Sequence, residues 1–274
     1  MSGSSDVRDA PALPFGDGLV ARARPGTLTP VLWFHGYAMD SRVWQEVWDD
    51  LPGWHHIGLD LPGHGGSRGI RPGEDLASIA RVVARLAAAQ GVRHLVGLSF
   101  GTMLALEVAM QMPDDYDTLV LGAPALARGP HDADVERRYE QLAGLYAESG
   151  AGPHMAQAWM RDPPALFRGA QRRPVLWLRL FWLASLHRWV ELTDASMLAL
   201  TSPPQDPARL RLVRASTLVV VGDEDLAAYR LSADLVSGAV PGCHRWEMAQ
   251  AGHLCLLERP SEAAAAIDAH LRGR

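Results

Sequence analysis

The chain has 274 residues, with 26 basic against 31 acidic, a formal net charge of −5, 48% hydrophobic residues and 21% charged. This is a globular composition, and the charge balance disfavours nucleic acid or an anionic membrane as the main partner. Every basic residue is Arg, and Asn is absent, which excludes a lysine Schiff base, a Ser–Lys dyad, a P-loop lysine and N-glycosylation.

Two cysteines, Cys243 and Cys255, do not make a disulfide scaffold. Met1–Asp9 is polar and lacks the apolar core of a signal peptide. The most apolar stretch, Pro174–Val190, is interrupted by Arg179, His187 and Arg188, too broken to span a bilayer. These features predict a cytoplasmic protein without membrane or nucleic-acid partners.

In chain order, residues 1–17 are rich in Ser, Gly, Pro and Asp and read as loose. Leu19–Arg24 reads as a first strand. Val31–Phe34 is an apolar run into His35-Gly36, which suits a buried strand entering a tight turn. Asp40-Ser41 caps a helix carrying Val43, Trp44, Val47 and Trp48. His56–Leu61 reads as a strand ended by Pro62-Gly63-His64-Gly65-Gly66. Asp75–Gln90 carries Leu76, Ile79, Val83 and Leu86 along one helical face, with Gly91 at its end. His94–Leu98 is a strand, Phe100–Met110 an apolar helix, and Thr118–Leu121 a strand. Strands without polar faces alternating with helices imply a mostly parallel sheet covered on both sides.

From Ala125 to Pro207 no strand is expected. Candidate helices are Asp132–Ser149, His154–Met160, Pro174–Val190 and Asp194–Leu200. Thr217–Val221 and Cys243–Met248 then read as strands and Ser261–Leu271 as a last helix. This divides the chain into a core (1–124), an all-helical insertion (125–207) and a second core part (208–274).

The strongest chemical signal is Gly97-Leu98-Ser99-Phe100-Gly101. It sits between a strand and a helix, the setting of a nucleophile elbow, where the helix N-terminus favours developing negative charge. A serine nucleophile needs a base. Of eleven histidines, His253 lies in a loop after the last strand, on the rim that Ser99 faces. His64 reads as structural, and His94 begins its strand at the opposite end. The base needs a carboxylate, and Gly222-Asp223-Glu224-Asp225 after Thr217–Val221 offers three.

The order serine, acid, histidine with these motifs resembles the α/β-hydrolase superfamily, in the branch with a lid between the sixth and seventh strands. The resemblance covers about residues 28 to 272. It is carried by His35-Gly36-Tyr37, Asp60-Leu61-Pro62-Gly63-His64-Gly65, the Ser99 elbow, Gly222-Asp223-Glu224-Asp225, and Gly252-His253 followed by Glu258-Arg259-Pro260. It implies an α/β-hydrolase fold with a mostly parallel central sheet flanked by helices. It selects Asp225, three residues after the glycine, over Asp223. It also implies an oxyanion hole from the N–H groups of Tyr37 and Phe100. Leu98 and Phe100 replace the His and the Met or Gly often found beside the serine, and Leu226 replaces the Pro that often follows the acid.

Of the insertion aromatics Trp159, Phe167, Trp177, Phe181, Trp182 and Trp189, most read as packing, with Trp159 and Trp182 as substrate-binding candidates. Arg137, Arg138, Arg172 and Arg173 read as a solvated face, and Cys255 as packing. The implied activity is a serine hydrolase cleaving an ester, thioester or lactone through a Ser99–His253–Asp225 triad. No metal and no cofactor are called for. A carrier protein or CoA thioester remains open as a partner. The same parts would serve intramolecular acyl transfer, cyclisation or C–C bond hydrolysis, and a non-catalytic ligand-binding protein would keep the fold alone.

Overall fold

The computed structural model describes residues 10–161, 165–192 and 199–273. Eight strands form one sheet: β1 (Ala12–Gly16), β2 (Leu19–Arg24), β3 (Pro30–Phe34), β4 (His55–Leu59), β5 (His94–Leu98), β6 (Thr118–Gly122), β7 (Ser216–Gly222) and β8 (His244–Met248). Their spatial order is β1-β2-β4-β3-β5-β6-β7-β8. Strands β3 to β8 run parallel, while β2 pairs antiparallel with both β1 and β4.

The apolar strands are explained by burial on two faces. In β3, Val31 and Trp33 point to one face and Leu32 and Phe34 to the other, and all four are buried. The Trp33 face is covered by Val43, Trp44, Val47 and Trp48 of a 3₁₀ turn (Ser41–Trp44) and α1 (Gln45–Asp49), and by the last helix. The Phe34 face is covered by α2 (Leu76–Ala89) and α3 (Phe100–Gln111). Helix α2 is held at its start by a reciprocal cap between Asp75 and Ser78.

Between β6 and β7 the described residues contain helices and 3₁₀ turns, and no strand: α4 (Ala133–Ser149), α5 (Pro153–Met160), α6 (Pro174–Leu186), a turn at Val190–Leu192 and α7 (Pro207–Leu210). Helices α8 (Ala227–Ala239), α9 (Cys255–Glu258) and α10 (Pro260–Leu271) complete the chain. Among the described residues, no helix is long and apolar enough to cross a membrane.

Residues 12–16 are not loose: Leu13 and Pro14 pair with Ala21 and Val20 in an edge hairpin turning at Asp17-Gly18. Helix α6 stops at Leu186 instead of Val190, because the chain turns extended at His187 and left-handed at Trp189 (φ 60°). Helix α8 carries Ala228, Ser232, Ala233 and Val236 on its buried face, too small and polar a stripe to stand out in the sequence. Most of the expected helix Asp194–Leu200 lies outside the described residues.

Candidate active site

Strand β5 ends at Leu98, and Ser99 turns the chain into α3 with φ 50° and ψ −123°. That left-handed conformation is strained for a serine, and close packing of the next turn holds it. A Cβ at Gly101 would sit 2.5 Å from the Phe34 carbonyl oxygen and closer still to that of His35. Only glycine lets the start of α3 lie against the end of β3. The same approach places Gly36 beside the Ser99 side chain.

Ser99, His253 and Asp225 come together from three loops at the carboxyl ends of β5, β8 and β7. Ser99 Oγ is 2.6 Å from His253 Nε2, and His253 Nδ1 is 3.0 and 3.2 Å from the two oxygens of Asp225. All three residues are buried. With the proton on Nδ1, the ring donates to the carboxylate and accepts from the serine hydroxyl. The Leu226 N–H also donates to Asp225 Oδ1, at 2.7 Å. Glycine is needed once more at Gly222, where a Cβ would overlap the Ala251 carbonyl, so the acid loop and the histidine loop touch directly.

The other two acids of the loop lie elsewhere. Asp223 accepts the Ala251 N–H at 3.2 Å, and Glu224 pairs with Arg172. His64 faces Pro62 O and the rings of His35, Tyr37 and His187, and burial holds its pKa well below the ordinary value. His94 bonds Thr118 at the start of β5, the far end of the strand from Ser99.

Tyr37 and Phe100 flank the serine from the loop after β3 and from the first residue of α3, with ring centroids 5.5 Å apart. The first N–H groups of a helix have no acceptor within it, so the Phe100 N–H is available to an anion. The Tyr37 hydroxyl does not enter a substrate space. It donates to Glu191 Oε1 at 2.5 Å, and His187 Nε2 lies 2.8 Å from the same oxygen. Burial would raise the Glu191 pKa, but the bonds from His187 and Tyr37 prevail and hold it below the usual carboxylate range.

A cavity of about 450 Å³ opens at Ser99, walled by Phe100, Met103, Leu126, Val135, Tyr139 and Tyr229, with Arg128, His131, Asp132 and Glu136 also in its lining. Its apolar wall suits the acyl or ring part of a small organic molecule. Neither tryptophan proposed for substrate binding lines it. Trp159 is buried against Tyr37, Tyr139 and Phe167. Trp182 is on the outer side of α6, 45% exposed, under the Arg42 guanidinium. Tyr139 and Tyr229 take the wall positions instead. The Tyr229 ring lies tilted against the His253 ring, with centroids 4.0 Å apart.

The insertion arginines are not simply a solvated face. Arg138 is buried and reaches Ala158 O, while Arg172 and Arg173 pair with Glu224 and Glu46 of the sheet-bearing part. Cys255 packs in the core, its thiol pKa pushed up by burial.

A family model described as the alpha/beta hydrolase family matches residues 31–267. Among curated proteins, the chain is 27% identical over 256 residues to 2-succinyl-6-hydroxy-2,4-cyclohexadiene-1-carboxylate synthase of Escherichia coli O1:K1, covering 91% of this chain and 96% of that protein. The synthase of the same name from Klebsiella pneumoniae strain 342 is 29% identical, but the match covers only 60% of its length. Among solved structures, MenH from S. aureus superposes with a TM-score of 0.79 at 19% identity, covering 92% of this chain and 98% of that one. A thermophilic esterase from Thermogutta terrifontis gives a TM-score of 0.76 at 23% identity, covering 93% and 94%.

Proposed function

The chain belongs to the alpha/beta hydrolase family, and from that premise we propose that it is a serine hydrolase cleaving a carboxylic ester, thioester or lactone, with Ser99 as nucleophile, His253 as base and Asp225 as orienter. The observation that carries this reading is the continuous chain of contacts from Ser99 Oγ through both imidazole nitrogens to the Asp225 carboxylate. An unassisted serine hydroxyl is a weak nucleophile, and this arrangement supplies its base.

In the proposed reaction Ser99 Oγ attacks the carbonyl carbon while its proton passes to His253 Nε2. The carbonyl oxygen becomes an anion facing the N–H groups of Tyr37 and Phe100. Asp225 stabilises the imidazolium. Collapse of the tetrahedral intermediate expels the alcohol, thiol or hydroxyl leaving group, which takes the proton from Nε2. Water then repeats the sequence on the acyl-enzyme, restoring the Ser99 hydroxyl. Residues 125–207 act as a lid over this centre, with 1–124 and 208–274 as the core. The substrate's apolar part lies along Phe100, Met103, Tyr139 and Tyr229.

A second reading, bond-forming or acyl-transfer chemistry on the same triad, is favoured by the synthase names of the sequence relatives. A panel of aryl esters, acyl-thioesters and lactones, assayed on wild type and Ser99→Ala, tests the first. Turnover of at least one class by wild type and of none by the variant is expected. Equal turnover by both would overturn it.

A further inference from the structure

Glu258 ends the short helix α9, five residues after His253, and is buried. Its Oε2 accepts the N–H of Gly252 at 2.6 Å, and its Oε1 accepts the N–H of Leu254 at 3.1 Å. These are the peptide N–H groups immediately before and after His253. One carboxylate therefore fixes the loop on both sides of the residue that carries the imidazole. The other side of the carboxylate is covered by the insertion. At Gly169 a Cβ would overlap it, so any side chain there would have to displace the carboxylate.

We propose that Glu258 is a positioning residue for His253: through Gly252 and Leu254 it holds the imidazole between Ser99 and Asp225, and its negative charge favours the imidazolium. This rests on the reading of His253 as the base. Both carboxylate oxygens accept N–H bonds, the arrangement that suits the ionised form. The charged and titratable groups facing it are His253 and Asp225 at the centre, Cys255 on its own helix and Arg172 from the insertion, itself bound to Glu224. Burial pushes the Glu258 pKa up against the pull of the two N–H groups and of His253. Neutralising the side chain withdraws a negative charge that supports protonated His253.

The test is the rate at which a fluorophosphonate labels Ser99 between pH 5 and 9, with thermal melting as a folding control. It needs no knowledge of the substrate. In Glu258→Gln the amide presents a donor where an N–H needs an acceptor. The plateau rate should drop about tenfold and the acidic limb should move to lower pH. Glu258→Asp keeps the charge but cannot span both N–H groups, so its plateau should drop with the limb in place. A plateau and limb in Glu258→Gln matching wild type would overturn the proposal. So would a lower melting temperature with an unmoved limb, which is the signature of a merely structural role. If Glu258→Gln does not fold, a wild-type plateau in Glu258→Asp overturns it equally. Absence of Ser99 labelling in wild type would instead defeat the triad reading.

Discussion

Asp225→Asn should leave the protein folded and cut kcat by about four orders of magnitude, or about 5 kcal/mol of transition-state stabilisation. The reason lies in the hydrogen bonds around the carboxylate. Leu226 N–H donates to Oδ1 at 2.7 Å. An asparagine must therefore put its carbonyl oxygen at that position, because the reverse orientation would set two donors against each other and leave a buried N–H unsatisfied, at a cost of about 1–3 kcal/mol. The amide NH₂ then takes the place of Oδ2, 3.2 Å from His253 Nδ1. A donor there competes with the amide oxygen, 3.0 Å from the same nitrogen, and populates the tautomer with Nδ1 as acceptor and the proton on Nε2, where it points at Ser99 Oγ and blocks proton abstraction. On either tautomer, the negative charge that balances the imidazolium is lost. Shape and the Leu226 bond are kept, so circular dichroism and melting should be close to wild type. Asp223→Asn is the control: its carboxylate accepts the Ala251 N–H, a bond that an amide oxygen can also accept, and its kcat should stay within a few-fold of wild type. The assay is kcat of each variant on one ester that wild type cleaves. A kcat within tenfold of wild type in Asp225→Asn, with a large loss in Asp223→Asn, would transfer the orienting role to Asp223. Mild effects in both would move the orienter to another acid, such as Asp132 in the cavity wall.

Gly101→Ala should lower both stability and kcat, because its Cβ would press on the carbonyls of Phe34 and His35, which are main chain and cannot turn aside; a loss of about 1–3 kcal/mol in urea unfolding is expected, and an unchanged midpoint would contradict the packing account. Tyr37→Phe removes the hydroxyl that donates to buried Glu191 and should cost about 1–3 kcal/mol in the same experiment. Stability should also fall between neutral pH and pH 5. Burial among Trp33 and Trp48 depresses the His56 pKa from 6.5 to about 4, so below 6.5 the unfolded chain binds a proton that the folded one refuses. The His56 contribution is complete above 6.5 and is lost as pH falls towards 4, by up to about 3 kcal/mol. A urea midpoint that does not fall from pH 7.5 to pH 5 would contradict this.

The parallel sheet was legible because strands such as Val31–Phe34 and Thr217–Val221 are apolar on both faces, and burial in two layers leaves that mark in sequence. The Ser99 elbow was legible because its glycines and its strand–helix setting are local. Helix α8 was not, because its buried face is made mostly of the small residues Ala228, Ser232, Ala233 and Ala239, while the larger apolar side chains of Leu231 and Leu235 are exposed. The cavity wall was not legible either. Tyr139 and Tyr229 reach it from segments 90 residues apart, and no periodicity says which side of α4 or α8 faces Ser99. Aromatic content drew attention to Trp159 and Trp182, yet one serves packing and the other the outer surface of α6. Glu191 is 154 residues from Tyr37, a separation at which a single sequence carries no pairing signal.

If Ser99 is a nucleophile activated by His253, an electrophile that mimics a carbonyl substrate should modify it covalently. Incubation with a fluorophosphonate, followed by intact-mass and peptide mass spectrometry, tests this most directly. One phosphonyl adduct per chain is expected, on Ser99, with labelling abolished in Ser99→Ala and strongly slowed in His253→Ala while both variants remain folded. A folded wild-type protein that stays unlabelled, or an adduct that forms at another residue and persists in Ser99→Ala, would contradict it.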